Sequence, residues 1–246
     1  MDKSAKKSII REITFLSDGY KLKGNLHLPA TKRPPVVIGS HGLFSSRSSP
    51  KQFKLAHQCN RLNIAFLRFD HRGCGESQGE FEKVTSLEAR CRDLIFAIDL
   101  IKACGETDDR IGLFGSSMGG AVCLSVASKI EVAALVTVAA PIRSRQIRKA
   151  IEKSETLNHQ DIRSDAKKNA FDISERLTNI RNILLFHGET DAIVPLSHAR
   201  EIFRKVGDPK KLIIQKGGDH RMSNINHQNT FIRKASLWFK SRLIDN

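Results

Sequence analysis

A serine lies between two glycines where an apolar run gives way to a helical pattern. The segment Gly-Ser-Ser-Met-Gly-Gly at 115–120 follows the apolar run 110–114 and precedes the run 121–129. A sharp strand-to-helix turn exposes the serine hydroxyl beside backbone N–H donors, and glycines two positions before and after it avoid a collision across the turn. Such a hydroxyl attacks a carbonyl carbon once a base removes its proton. Ser117 is therefore the candidate nucleophile.

A second glycine-serine-glycine motif competes with the first. Residues 75–79 read Gly-Glu-Ser-Gln-Gly, but they follow a polar, glycine-interrupted segment and precede the polar segment 80–83. Neither a strand nor a helix is predicted next to Ser77, so its hydroxyl lacks the setting that activates a nucleophile. The context favours Ser117 over Ser77.

The base is expected among the histidines that follow strands, because ligands of an open parallel sheet collect at the carboxyl ends of its strands. Four of the nine histidines qualify: His41, His71, His187 and His220. His41 lies in a loop better suited to supplying backbone donors, and His187 lies too close to its own strand to reach across the site. His220 follows two glycines that leave its loop free to aim the ring. We predict His220 as the general base.

The base needs an acceptor for its other ring nitrogen, which fixes the tautomer and stabilises the imidazolium. Asp191 lies in the loop after the preceding strand and is the predicted acceptor. Glu189 in the same loop is the alternative. Asp219 is adjacent to His220 and is poorly placed to reach its ring, so it is predicted to be a turn residue.

The oxyanion of a tetrahedral intermediate needs N–H donors. We predict one from the backbone of Met118, at the positive start of the elbow helix, and one from Leu43, with Phe44 as the alternative second donor. Phe44, Arg47 and Arg221 are candidate substrate contacts because they lie in or beside these loops. An arginine there could pair with a carboxylate or phosphate on the substrate. Side chains that point to solvent are the alternative.

The elements that position these residues alternate along the chain. Alternating apolar and polar residues at 9–15 and 21–28 predict an antiparallel hairpin at the sheet edge. Apolar runs predict further strands at 36–38, 64–69, 110–114, 132–140, 182–186 and 212–215. Helical patterns occur at 50–62, 85–104, 121–129, 197–205 and 227–243. This alternation predicts an α/β fold with a mostly parallel, eight-stranded sheet and helices on both faces.

One segment breaks the alternation. Residues 142–181 contain no glycine and no proline, and their apolar residues are sparse, enough to cover a surface but not to form a core. We predict a small helical cap inserted between two strands of a single domain spanning residues 1–246. A flexible linker is the alternative.

The net charge of the 246-residue chain is +15, from 41 Lys and Arg against 26 Asp and Glu. Such a field could attract nucleic acid, anionic lipid or anionic substrates. A single Tyr and a single Trp offer few rings on which bases could stack, so we expect a basic, solvated surface and no nucleic-acid partner.

Cysteine usage and hydropathy bear on cofactors and location. The five cysteines are scattered without metal-type spacing, so we expect reduced thiols, no metal and no cofactor. The basic N-terminus does not lead into an apolar signal core, and no run reaches membrane-spanning length. We therefore predict a cytoplasmic protein without membrane insertion, and the oligomeric state is left open.

Together the motifs resemble the α/β-hydrolase superfamily, in its serine carboxylesterase and serine-peptidase-like group. The similarity covers almost the whole chain, and its motifs come in the family's order: His41-Gly42, 70–77, the elbow, Gly188 to Pro195 and Asp219-His220. The resemblance implies a catalytic triad of Ser117, Asp191 and His220. It also implies that 70–77 is a structural turn, which makes Arg72 and Ser77 scaffold residues.

The residues and the resemblance predict a serine hydrolase acting on a small-molecule carboxylic ester with a short acyl or aryl-acyl group, through an acyl-enzyme. A thioesterase or small peptidase with the same triad is the alternative among enzymes. A noncatalytic α/β-hydrolase-like scaffold with a basic binding surface is the alternative of another class, and the intact order of the three residues argues against it.

Overall fold

The computed structural model describes residues 8–145 and 170–245, and its strands form a single sheet. The strands are β1 (Ile9–Ser17), β2 (Tyr20–Leu28), β3 (Val36–Ser40), β4 (Ala65–Phe69), β5 (Ile111–Ser116), β6 (Ala134–Val138), β7 (Ile183–Gly188) and β8 (Lys210–Gln215). Their order is β1-β2-β4-β3-β5-β6-β7-β8. The pairs β1–β2 and β2–β4 are antiparallel and the other neighbours are parallel. The predicted mostly parallel, eight-stranded sheet with an edge hairpin is confirmed.

Helices cover both faces of the sheet, as predicted. Those in the described ranges are α1 (Pro50–Arg61), α2 (Phe81–Val84), α3 (Leu87–Ala103), α4 (Met118–Ala127), α5 (Ser197–Lys205) and α6 (Ile225–Leu243), with a 3-10 turn at Ser174–Arg176. Apolar residues of α3, α4 and α5 pack on one face, and those of α1 and α6 pack on the other. The sheet is thus the middle of three layers, which explains why its parallel strands are apolar on both sides.

Two helices begin earlier than their apolar patterns indicated. The side chain of Asn224 accepts from the backbone N–H of Asn226 at 2.8 Å, so this N-cap starts α6 at Ile225. Helix α4 starts at Met118, because Gly119 and Gly120 are helical although they lack the apolar side chains that mark a helix in sequence. The helix therefore begins directly after Ser117.

The direction in which the strands are added reverses at β3 and β5. From β3 the chain crosses to β4 on one side, and from β4 it returns through α3 to β5 on the other side of β3. Loops that leave β3 and β5 at their carboxyl ends diverge at such a reversal, and ligands of open α/β sheets bind there. Ser117 and the loop after Ser40 both lie at this point.

The predicted cap, residues 142–181, lies largely outside the described residues, because 146–169 are not among them. Its two ends are described. Ile142, Ile173 and Leu177 are buried in the core cluster that also holds α3 and α4. These ends belong to the core of the domain, and the cap itself stays a prediction.

Two other expectations concern membranes and thiols. Among residues 8–145 and 170–245, no helix has both the length and the apolar character needed to span a membrane. All five cysteines are free, and only Cys104 is exposed. No described thiol is tied in a disulfide.

Candidate active site

Ser117 occupies a strained turn between β5 and α4. Its backbone has φ 53° and ψ −122°, a conformation that L-residues rarely adopt. A Cβ on Gly115 would overlap the Gly119 carbonyl across the turn, as expected from the sequence. A Cβ on Gly119 would instead overlap the Ser40 carbonyl at the end of β3, so the second glycine permits contact with a neighbouring strand.

The structure brings Ser117, His220 and Asp191 into one hydrogen-bonded chain. The Ser117 hydroxyl lies 3.1 Å from His220 Nε2, and His220 Nδ1 lies 2.8 Å from Asp191 Oδ2. A carboxylate only accepts, so Nδ1 carries the proton and Nε2 accepts from the serine hydroxyl. The Asp191 side chain is fully buried, whereas that of His220 is 20 % exposed. The serine proton therefore has an acceptor that is partly open to solvent.

Asp191 is held as an anion inside the fold. Burial alone would raise the pKa of Asp191, but the hydrogen bond from His220 and those from the backbone N–H groups of Val194 and Ile193 outweigh it and lower the pKa. The two backbone bonds to Oδ1 measure 2.9 Å from Ile193 and 2.8 Å from Val194. They leave Oδ2 to the histidine, which fixes the carboxylate relative to the ring.

His187 supports the same loop from inside the sheet. Its Nε2 donates to the Val194 carbonyl at 2.8 Å and lies 3.5 Å from Asp191 Oδ2. Burial lowers the pKa of His187, so the ring stays neutral beside the carboxylate. The position of His187 in the sequence argued against it as the base and did not reveal this contact, although its place four residues before Asp191 on a strand end was a signal that it could reach the acid loop.

Lys51 contacts the loop of the candidate base from the start of α1. Its ammonium donates to the Arg221 carbonyl at 3.0 Å. Burial lowers the pKa of Lys51, although the nearby carboxylates of Asp219 and Asp191 act in the opposite direction. No local pattern in the sequence indicates this contact, because Lys51 and Arg221 are 170 residues apart.

Met118 and the loop that carries Leu43 are both next to Ser117. Met118 is the first residue of α4, so its N–H has no acceptor within the helix. A Cβ built on Gly42 would lie 3.7 Å from Ser117 Cβ, which places the loop that carries Leu43 and Phe44 against the candidate nucleophile. The assignment of these N–H groups to an oxyanion stays a prediction.

The rejected candidates all hold structural positions. Ser77 donates to the Asp70 carbonyl at 2.7 Å and accepts from the Lys23 N–H at 3.0 Å, so both sides of its hydroxyl are used inside the fold. Glu189 accepts from the Gly217 N–H, away from the imidazole. The Asp219 side chain accepts from the Ser223 N–H at 2.8 Å, as expected of a turn residue.

The expected anion-binding role of Arg47 does not match its position. The Arg47 guanidinium pairs with the buried Asp70 carboxylate, contacts Glu76 at 2.8 Å and donates to Asn25 at 2.9 Å. Its side chain is 10 % exposed, and these partners occupy it, so Arg47 holds the segment after β3 rather than a substrate. The sequence could not reveal this, because Asp70 follows a different strand.

The other two candidate contacts are accessible. The Arg221 residue is exposed directly after His220. Phe44 is 62 % exposed, and its ring centroid lies 5.4 Å from that of Phe81. An aromatic pair therefore stands at the end of the loop that passes Ser117.

A second serine–histidine–aspartate chain lies in the interior of the fold. The Ser40 hydroxyl is 2.8 Å from His71 Nε2, and His71 Nδ1 is 3.3 Å from Asp93 Oδ2. Asp93 also accepts from Arg72, at 2.8 Å from its Nε, and from Ser17. All three members of this chain are fully buried, so the chain ties β3, β4 and α3 together and cannot meet a substrate.

Charge in this buried chain resides on the carboxylate. Burial lowers the pKa of His71 to about 4, although its hydrogen bond to Asp93 acts in the opposite direction. Burial also opposes ionisation of Asp93, but the hydrogen bonds from His71 and Arg72 outweigh it and lower its pKa. Asp93 is therefore an anion balanced by Arg72, next to a neutral imidazole.

A metal centre finds no support in the described ranges. Within 8–145 and 170–245 no group of three His, Cys, Asp or Glu side chains is arranged to hold an ion. The strand-end histidines are engaged with backbone carbonyls, a serine or a carboxylate instead.

Comparison with known proteins places the chain among hydrolases. The sequence model of the family described as serine aminopeptidase, S33, matches residues 31–156. YfhR of Salmonella typhi is 27 % identical over 224 residues, which cover 85 % of this chain and 73 % of that protein. The mitochondrial palmitoyl-protein thioesterase ABHD10 of Mus musculus is 25 % identical over 214 residues, which cover 77 % of this chain and 70 % of that protein.

Solved structures share the fold at low sequence identity. The Pyrococcus furiosus esterase Pf2001 superimposes with a TM-score of 0.82 at 18 % identity, covering 96 % of this chain and 91 % of that one. Similarity at this identity concerns the fold alone.

Proposed function

Because the chain belongs to the serine aminopeptidase, S33, family of the α/β-hydrolase superfamily, we propose that it is a serine hydrolase that cleaves carboxylic esters through an acyl-enzyme. One observation carries the proposal: the accessible hydrogen-bonded chain from Ser117 through His220 to Asp191, at a strained strand-to-helix turn. A base within hydrogen-bonding reach of a nucleophile and oriented by a third group is the arrangement that acyl transfer requires.

Acylation begins at the serine hydroxyl. Ser117 Oγ attacks the ester carbonyl carbon while its proton passes to His220 Nε2, and Asp191 stabilises the imidazolium through Nδ1. The carbonyl oxygen becomes an oxyanion, for which the N–H groups of Met118 and Leu43 are the proposed donors, with that of Phe44 as the alternative. The C–O bond to the leaving group then breaks, and the alcohol departs with the proton from His220.

Deacylation repeats these steps with water. His220 Nε2 takes a proton from a water molecule whose oxygen attacks the acyl carbon of the Ser117 ester. The second tetrahedral intermediate collapses, Ser117 Oγ recovers the proton from His220, and the carboxylic acid leaves. The enzyme returns to its starting state, so the cycle consumes one water per ester.

Short acyl or aryl-acyl esters are the proposed substrates. The exposed Phe44 ring and its partner Phe81, tilted by 37° to each other, offer an apolar surface on the loop whose Gly42 lies against Ser117. Aromatic rings pair in offset or edge-on geometries that contribute about 0.5–1.5 kcal/mol beyond area burial. Arg221 is the one predicted basic contact whose exposure suits an anionic substituent, and this contact remains a proposal.

Active-site labelling tests the proposed nucleophile. A fluorophosphonate probe should label the wild type and fail to label Ser117→Ala, whose ester turnover should fall by about 10⁴ to 10⁶. Ser77→Ala is the matched control, since it removes a serine of the same motif from a buried position, and a folded protein should keep turnover within about tenfold. Labelling that persists in Ser117→Ala but is lost in Ser77→Ala would overturn the assignment.

Thioester hydrolysis is the second candidate, favoured by the similarity to a palmitoyl-protein thioesterase. The same triad can attack either carbonyl, so the leaving group decides between them. Matched oxygen esters and thioesters of two to sixteen acyl carbons should show the higher kcat/KM for short oxygen esters. A maximum for long-chain thioesters would replace the ester proposal.

A further inference from the structure

A single buried arginine contacts three consecutive carbonyl groups of the loop after β3. Arg90 Nη1 lies 3.4 Å from the His41 carbonyl and 3.3 Å from that of Gly42, and Nη2 lies 2.9 Å from that of Leu43. The Arg90 side chain comes from α3, and the residue is fully buried. One guanidinium thus defines the direction of three peptide groups in this loop.

The direction of these carbonyls determines the direction of the next N–H groups. In a trans peptide the C=O and N–H bonds point in opposite directions. The Gly42 carbonyl faces Arg90, so the Leu43 N–H of the same peptide group points away from Arg90. The Leu43 carbonyl also faces Arg90, so the Phe44 N–H points away from Arg90 as well. These two N–H groups are the alternative second oxyanion donors.

The loop is also held at its first residue. His41 Nδ1 donates to the Gly42 carbonyl at 2.8 Å, and His41 Nε2 accepts from the His71 backbone N–H at 3.1 Å. Burial and the neighbouring His71 lower the pKa of His41, which keeps it neutral. Of His41 and Arg90, therefore, it is Arg90 that places a positive charge next to the loop carbonyls.

We propose that Arg90 is a positioning residue that aims the Leu43 or Phe44 N–H at the oxyanion formed on Ser117. The inference rests on the proposed function. A charged donor against a peptide carbonyl both fixes the peptide plane and polarises its N–H, and preorganised dipoles of this kind act on the transition state more than on the bound substrate. The loop lies against Ser117, with only 3.7 Å between a Cβ built on Gly42 and the serine Cβ.

Replacing the guanidinium tests this role. Arg90→Lys keeps the charge but cannot bridge three carbonyls, and Arg90→Gln removes the charge. Both should lower kcat by about tenfold to a hundredfold, with KM within about threefold of the wild type, because the lost interaction exists only in the transition state. Affinity for a trifluoromethyl ketone, which forms an oxyanion on the serine, should fall by the same factor as kcat/KM, while that for the matched methyl ketone stays constant.

Arg68→Lys is the matched control. Arg68 is also buried and donates to a backbone carbonyl, that of Arg47, which lies in the same loop but after the candidate donors Leu43 and Phe44. The Arg68→Lys protein should lose thermal stability with little change in kcat. If Arg90→Gln fails to fold, Arg90→Lys decides the question.

Three results would overturn the inference. They are an unchanged kcat in folded Arg90→Lys, equal losses of kcat in Arg90→Lys and Arg68→Lys, and an Arg90→Lys protein that cannot fold, which would assign the residue to stability. A wild type that the fluorophosphonate probe does not label would instead contradict the proposed function. An active, labelled wild type with unaffected Arg90 variants contradicts this inference alone.

Discussion

Two serine–histidine–aspartate chains with the same donor order run through residues 8–145 and 170–245 of this molecule. One joins Ser117 to Asp191, and the other joins Ser40 to Asp93. They differ in burial and in backbone strain, because the second lies wholly inside the fold and, of the two serines, Ser117 alone has a positive φ. Residue types and hydrogen bonds alone do not define a nucleophile; access to a substrate and to oxyanion donors is also required.

At the residue scale, Asp191→Asn should lower kcat/KM by about 10³ to 10⁴. An amide can donate to His220 Nδ1, which would place the ring proton on Nε2, where it cannot accept from Ser117. Asp219→Asn is the matched control, since its side chain accepts from the Ser223 backbone and not from the ring. Steady-state kinetics of both variants checks the prediction. Equal losses in the two variants would contradict the assignment of Asp191.

At the scale of elements, backbone hydrogen bonds between its two ends join the segment 142–181 to the domain. The backbone of Ser144 donates to the Phe171 carbonyl at 3.0 Å, and that of Ile173 donates to the Ile142 carbonyl at 2.9 Å. The chain therefore leaves the core and returns to it through one isolated antiparallel bridge, between Arg143 and Asp172. Antiparallel segments can be closed by a short turn.

At the element scale, two excisions should have opposite outcomes. Replacing 146–169 with a two-residue Asn-Gly turn should leave the melting temperature within a few degrees of the wild type, because the paired ends stay in place. Excising all of 142–181 also removes Ile142, Ile173 and Leu177 from the core, and loss of one such side chain typically costs about 2–5 kcal/mol. Thermal unfolding of both proteins checks this. Unfolding of the shorter excision would show that 146–169 contribute to the core.

Across the whole molecule, buried histidines link stability to pH. Burial lowers the pKa of His71 to about 4, and it does the same for His27 and His198. In the unfolded chain these rings take up a proton near pH 6.5, about two and a half pH units above their pKa in the folded protein. Acid therefore favours the unfolded state. Their contribution is present above pH 6.5 and is lost as the pH falls toward 4.

At this scale, the free energy of unfolding should stay level above about pH 7 and decline between pH 6.5 and 4. A shift of this size at one fully buried ring corresponds to about 3 kcal/mol. His71→Gln should be less stable at pH 7.5 but show a shallower decline than the wild type. Urea unfolding at pH 7.5, 5.5 and 4.5 measures both. An equally steep decline in His71→Gln would rule out this ring as a source.

The sequence by itself determined the class of fold and the order of its elements. Periodicity marked the edge hairpin and the parallel strands to within a few residues, because apolar patterning reflects which faces each element buries. The turn at Ser117 was predictable in part for a similar reason, since a Cβ on Gly115 would overlap Gly119 only four residues away, whereas the constraint on Gly119 comes from Ser40 on a neighbouring strand. Ser117, Asp191 and His220 could be proposed because each comes within three residues of the end of a recognisable strand or of a glycine pair.

Only the tertiary structure decided which of these residues meet and which are buried. It paired Arg47 with Asp70, and it placed Arg90 beneath the loop after β3, although neither contact leaves a local pattern. The helix that carries Arg90 reads as an ordinary amphipathic helix in the sequence. Burial and long-range hydrogen bonds depend on strand order and on helix packing across the sheet, and these are properties of the assembled chain rather than of any segment.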